Sequence, residues 1–140
     1  MKFLIVEDGF LSRHHLNGLL SKHGEVQVAI NGIEGVEAVR LALEAQAPFD
    51  LICLDINMPE MDGNTALKKI RDMEMNSGTV PSHHMKILMT TASEDRANVM
   101  EAFRDQCDGY LIKPIWEKSL LKAMVEAGLN VEIPDDVAVS

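Results

Sequence analysis

The sequence predicts an α/β domain in which a parallel sheet is covered by helices on both faces. Three observations point there. Five short apolar runs alternate strictly with five stretches of helical periodicity. The runs are apolar at consecutive positions, as strands buried on both faces are. Four of the five end in residues that carry chemistry, which in open α/β sheets is where ligands bind. The chain has 140 residues and is 46% hydrophobic, which suits one domain with a substantial core.

The first run, residues 2–6, ends in Glu7-Asp8. Residues 10–23 place Leu11, Leu16, Leu19 and Leu20 at helical spacing, and Gly24 supplies a stop. Residues 26–30 form the second run, which leads only into Asn31-Gly32; Asn31 suits the N-cap of a helix over 33–46 carrying Val36, Val39 and Leu43. The third run, 49–54, closes on Asp55 and passes into Asn57-Met58-Pro59. Asp62 or Asn64 can cap the next helix, through Thr65, Ala66, Leu67, Ile70 and Met73. Residues 76–84 are rich in turn formers and predict a longer loop. The fourth run, 85–89, ends in Thr90-Thr91, and Ser93 opens a helix to about residue 106 with Glu94 and Asp95 at its positive end. The fifth, 110–112, ends in Lys113-Pro114. Pro114 stands where helices begin, and the last helix carries Ile115, Leu120, Leu121, Met124 and Val125 as far as Gly128. Residues 1–128 therefore form the domain. Residues 129–140, with Pro134-Asp135-Asp136 and no Lys or Arg, read as a frayed acidic C-terminal tail.

A net charge of −9 argues against nucleic acid and against anionic membrane surfaces as partners. No apolar stretch is long enough to span a bilayer, and the N-terminus turns acidic too early for a signal peptide. Cys53 and Cys107 suggest neither a disulfide framework nor a zinc site, so a reduced, cytoplasmic setting is expected. His14-His15 and His83-His84 invite a metal or phosphohistidine reading, but His14 and His15 are a poor chelating pair, because neighbours on a helix diverge by about 100°, and none of the histidines is assigned a role. The nine Met read as core filler, and Trp116 as either core or a partner anchor.

If the strands are parallel, their exits share one edge of the sheet. Glu7, Asp8 and Asp55 then give three negative charges and Lys113 one positive charge. One divalent cation matches the remainder, and a hydrated site of carboxylate oxygens favours Mg²⁺. A carboxylate can attack phosphorus to give an aspartyl phosphate. The transferring group spreads charge over three oxygens, which Mg²⁺, Lys113 and the Thr91 hydroxyl could share.

Glu7-Asp8, the run Asp55-x-x-Met58-Pro59-x-Met61-Asp62-Gly63, Thr91-Ala92 and Tyr110-x-x-Lys113-Pro114 occur in this order within residues 2–128. The set resembles the response-regulator receiver domain of two-component signalling, in its single-domain, chemotaxis-regulator-like form. The resemblance implies a flavodoxin-like five-stranded sheet of order 2-1-3-4-5, an assignment made for this family in general. It implies Asp55 as phosphoacceptor, with Mg²⁺ held by Asp8, Asp55 and the Asn57 backbone carbonyl, and by Glu7 through water. Thr91 and Lys113 would bind the phosphoryl group, Thr91 and Tyr110 would form the switch, and Asn57 and Ser93 would tune phosphoryl lifetime. A cis peptide before Pro114 is common in the family. Expected partners are a sensor histidine kinase or histidine phosphotransfer protein, and a downstream protein docking on the fourth helix, fifth strand and fifth helix. The domain would be a stand-alone signalling phosphoprotein of a phosphorelay, and no enzyme beyond its own phosphorylation and dephosphorylation. The alternatives are a receiver module cut from a longer regulator, a metal-dependent phosphatase, a flavin carrier and a receiver-like scaffold that never meets phosphate. Asn57 in place of a second acid disfavours the phosphatase, and Glu7-Asp8-Gly9 in place of a phosphate-binding loop disfavours the flavin carrier.

Overall fold

The computed structural model describes residues 1–78, 84–92 and 96–135. Five parallel strands, β1 (Lys2–Val6), β2 (Glu25–Ala29), β3 (Leu51–Asp55), β4 (Lys86–Thr91) and β5 (Gly109–Ile112), form one sheet in the order β2-β1-β3-β4-β5. Between and after them run α1 (Phe10–Leu20), α2 (Gly32–Glu44), α3 (Gly63–Asn76), α4 (Arg96–Arg104) and α5 (Glu117–Glu126). The expected fold class and strand order are both present. No helix among the described residues is long and apolar enough to cross a membrane.

Strand residues alternate between two cores, as a period of two requires. Leu4, Val6, Ile52, Leu54, Ile87 and Met89 pack with Val39 and Ala42 of α2, Leu67 and Ile70 of α3 and Ala102 of α4. Phe3, Ile5, Leu51, Cys53, Leu88 and Leu111 pack with Leu16 and Leu20 of α1 and Leu120, Leu121 and Met124 of α5. Covering both faces is what makes the central strands β1, β3 and β4 apolar along most of their length, whereas the edge strand β2, with Glu25 and Gln27, is largely exposed.

Several boundaries differ from expectation for local reasons. α1 stops at Leu20, three residues before the expected end, and Ser21 to His23 form a turn. Asp62, not Asn64, caps α3 by accepting from the Thr65 amide at 2.8 Å; Asn64 is buried and donates to the Asn98 carbonyl at 3.2 Å. Asn31 caps α2 as expected, accepting from the Glu34 amide at 2.8 Å. α5 begins at Glu117 instead of Pro114, because Ile115 is drawn into the core and Trp116 is extended at φ −88° and ψ 146°. The Lys113–Pro114 peptide is cis. The tail does not fray at once, since Leu129 and Val131 pack against the α1/α5 core. Ser93, Glu94 and Asp95, the expected start of the fourth helix, lie outside the described residues, as do His83 and residues 136–140.

The edge of the sheet opposite the strand exits is held by a buried ionic network. Arg71 of α3 donates to Glu74 at 2.6 Å, to Asp108 at 2.9 Å, and to the carbonyls of Met85 and Gln106 at 2.7 and 2.9 Å. Glu74 and Asp108 accept in turn from the amides of Met85 and Ile87, at 2.6 and 2.8 Å. Each acid thus has both the guanidinium and a backbone amide as donors in a desolvated place. Removing one partner strands the rest, which typically costs several kcal/mol. Arg71→Met is therefore expected to destabilise the fold by about 3 kcal/mol, read as a lower urea midpoint. A loss below about 1 kcal/mol, the range of a surface pair, would show that the network adds little.

Candidate functional site

The strand exits meet at the carboxyl edge of the sheet because register aligns them. Asp55 lies opposite Thr90 and Val6 opposite Leu54, and Thr91 lies opposite Ile112, one residue before Lys113. The ladder continues past the strands through Glu7 N–H to Ala29 at 3.0 Å, Ile56 N–H to Thr90 at 2.9 Å and Lys113 N–H to Thr91 at 2.7 Å. The site residues thus leave from backbone that is still hydrogen-bonded.

Glu7, Asp8 and Asp55 each offer a carboxylate oxygen, and these oxygens lie within 4.8 Å of one another. Glu7 and Asp55 are buried, whereas Asp8 faces solvent. The Lys113 ammonium makes a close ion pair with Glu7 Oε1 and a looser one with Asp55 Oδ2 at 3.4 Å. Glu7 Oε2 accepts from the Gly9 amide at 2.9 Å, and Asp55 Oδ1 from the Asn57 amide at 3.2 Å. Thr91 is fully buried at the end of β4. Tyr110 is brought to a different place, partly exposed with its ring edge-on to Phe103 of α4 at 6.1 Å. Ser93 lies outside the described residues.

Two residues of the site region were given no role by the sequence. Arg13 donates to the carbonyls of Glu7 and Asp8 at 3.1 and 3.4 Å and so fixes the loop that carries both acids. Its position one helical turn past that loop was the available signal. His15 meets the Ile115 carbonyl at 2.6 Å, a contact between residues 100 apart that no local pattern reveals. Gly63, which ends the run from Asp55, also gains a reason. A Cβ there would stand 2.2 Å from the Asp55 carbonyl oxygen, so only glycine lets α3 start this close to the third strand's exit.

Burial pushes the Asp55 carboxyl up to about 7, and the neighbouring Glu7 pushes the same way, against Lys113 and the Asn57 amide. Burial also acts to raise Glu7, but Lys113, the Gly9 amide and the bond to Asp55 together hold it below the usual carboxylate range. Burial lowers Lys113, yet its two acidic neighbours leave it raised overall. One ammonium does not neutralise three carboxylates, and a proton on Asp55 absorbs part of the excess. Hard oxygen donors with surplus negative charge and one solvent-facing member are a fitting donor set for Mg²⁺.

A family model for the response regulator receiver domain matches residues 3–125. The chain is 33% identical over 135 residues to hybrid signal transduction histidine kinase B of Dictyostelium discoideum, covering 92% of this chain and 7% of that protein. It is 31% identical over 125 residues to the chemotaxis protein CheY of Bacillus subtilis, covering 88% of this chain and 93% of that one. Thus it spans only a small part of the kinase but nearly all of the chemotaxis protein. Among solved structures, the receiver domain of the histidine kinase CKI1 from Arabidopsis thaliana, complexed with Mg²⁺ and BeF₃⁻, superposes with a TM-score of 0.79 at 30% identity, over 90% of this chain and 88% of that one.

The crowding at Asp55 has a sign that can be tested without metal. With its value raised from 3.8 to about 7, folded Asp55 holds a proton that the unfolded chain has released. Its contribution to stability therefore falls as pH rises through that window, and the full penalty is present above it. In EDTA, Asp55→Asn is expected to raise Tm by about 5 °C at pH 8 and by less than half as much near pH 5. An equal change at both pH values in thermal melts would show that ionisation of the buried Asp55 is not the cause.

Proposed function

The chain belongs to the response regulator receiver domain family, and on that premise we propose that it accepts a phosphoryl group on Asp55 from a phosphohistidine and passes the signal on by protein contact. The observation that carries this reading is the convergence of Glu7, Asp8, Asp55 and Lys113 from three separate strand exits. The family is a signalling domain and not an enzyme class in the ordinary sense. The same chemistry serves a stand-alone regulator or a module of a longer one.

In the proposed transfer, an Asp55 oxygen bonds to phosphorus while the phosphorus–nitrogen bond of the donor breaks and its electron pair returns to the imidazole. Asp8, Asp55 and the Asn57 carbonyl would hold Mg²⁺, with Glu7 acting through water; when bound, the ion offsets charge on the acids and on a phosphoryl oxygen. Lys113 supplies the cation for a second oxygen and Thr91 a hydroxyl for the third. A sensor histidine kinase or histidine phosphotransfer protein is the donor of this reading, in a cytoplasmic setting that keeps the free thiols of Cys53 and Cys107 reduced.

The output surface of the reading is the α4-β5-α5 face. Met100, Phe103, Tyr110, Ile112 and Trp116 are all exposed there, an apolar group of the kind that marks protein contact. Phosphorylation adds negative charge and acceptor oxygens beside Thr91. Movement of Thr91 toward them gives Tyr110, now turned outward beside Phe103, a second position. Asn57 and Ser93 stand two residues past Asp55 and Thr91 and set water access to the phosphoryl group.

Incubation with acetyl phosphate and Mg²⁺ is expected to label the wild-type chain once. Asp55→Asn and removal of Mg²⁺ by EDTA should each abolish the label, and Lys113→Met should slow labelling by about a hundredfold. Retention of stoichiometric label by Asp55→Asn in intact-mass measurements would end the assignment.

A further inference from the structure

The amine and the acids of the site come from strands that are not neighbours. β1, which leads to Glu7 and Asp8, is separated from β5, which leads to Lys113, by β3 and β4. The sheet alone therefore leaves their spacing dependent on two intervening strands. The shorter connection runs through α1. Its Leu16 and Leu20 are anchored in the core. Arg13 of this helix grips the carbonyls of Glu7 and Asp8. On another side of the same helix, His15 Nε2 lies 2.6 Å from the carbonyl oxygen of Ile115, two residues past Lys113.

We propose that His15 is a positioning residue, which latches the segment 113–115 to α1 and so holds the Lys113 ammonium where phosphoryl transfer needs it. The reasoning is chemical. A carbonyl oxygen only accepts, so the His15 nitrogen facing it carries the hydrogen and donates. The Ile115 side chain is buried in the core, which fixes the carbonyl at the other end of the bond. Around this bond the contact is loose. Leu11, Ser12 and Leu16 face Lys113, Pro114 and Ile115 across a cleft of about 200 Å³. Where the cleft opens, packing of the segment against α1 is incomplete, so a directed hydrogen bond adds to the hold that Ile115 already has in the core. The inference rests on the receiver reading for what Lys113 does; the latch itself is a matter of this chain's geometry.

The test compares wild type, His15→Leu and His15→Gln, since a Gln amide can replace the donor and Leu cannot. Backbone ¹⁵N relaxation of residues 115–117 reads the latch without phosphate or metal. Acetyl phosphate labelling, with the Mg²⁺ concentration for half-maximal rate, reads its consequence. His15→Leu is expected to loosen the segment and to lower the maximal labelling rate about fivefold, the weight of one intramolecular hydrogen bond, with Mg²⁺ half-saturation unchanged. His15→Gln should restore both order and rate. Wild-type order in the Leu variant, wild-type rate in the Leu variant, or a Gln variant as slow as Leu would each overturn the proposal. Absence of label on the wild-type chain would overturn the receiver reading and the transfer role with it, whereas the relaxation data would still decide whether the latch exists.

Discussion

The site depends on one ammonium placed among more negative charge than it can neutralise. Lys113 pairs closely with Glu7 and loosely with Asp55, and Asp8 adds a third carboxylate from solvent. In water such acids would separate. Here they cannot, because backbone ladders extend beyond the strands and fix each exit. Folding thus holds a charge imbalance that a cation or a proton relieves, and Asp55 is pushed upward first by its burial and then by the neighbouring Glu7.

The two edges of the sheet divide the work. At the edge away from the site, Arg71 satisfies Glu74 and Asp108 and ties α3 to the starts of β4 and β5. That network has donors for its acids. The carboxyl edge has too few. A domain can carry an underneutralised cluster at one end when the other end and two apolar cores keep the frame from yielding.

Much of this was legible in the sequence, for physical reasons that differ by element. The consecutive apolar residues of 51–54 announce a strand covered on both faces, and Asp55 at its end announces the exit. Asn31 announces a cap because its side-chain oxygen meets an orphan amide three residues on, a local relation. Pro114 misled as a helix start because the pull of Ile115 into the core is a tertiary effect that overrides a local preference. The choice of Asp62 over Asn64 had the same cause, since Asn64 is claimed by the Asn98 carbonyl. Arg71–Asp108 and His15–Ile115 were hidden altogether. They join residues far apart in the chain, and neither periodicity nor composition records such pairs.

Geometry also separates the two buried acids. Glu7 has one oxygen against Lys113 and the other against the Gly9 amide, and its carboxyl is held below the usual range. Both its oxygens are occupied by strong partners, and a carboxylate stabilised as an anion is a weak base. Asp55 has a longer contact to Lys113 and a single amide at 3.2 Å. Burial and the neighbouring Glu7 push its carboxyl upward, so its anion is the less stabilised of the two, which suits Asp55 to the attacking role of the proposed transfer. The difference is consistent with the proposed roles, Asp55 as the attacking acid and Glu7 as the partner of Lys113, and it arises from their neighbours and not from side-chain chemistry.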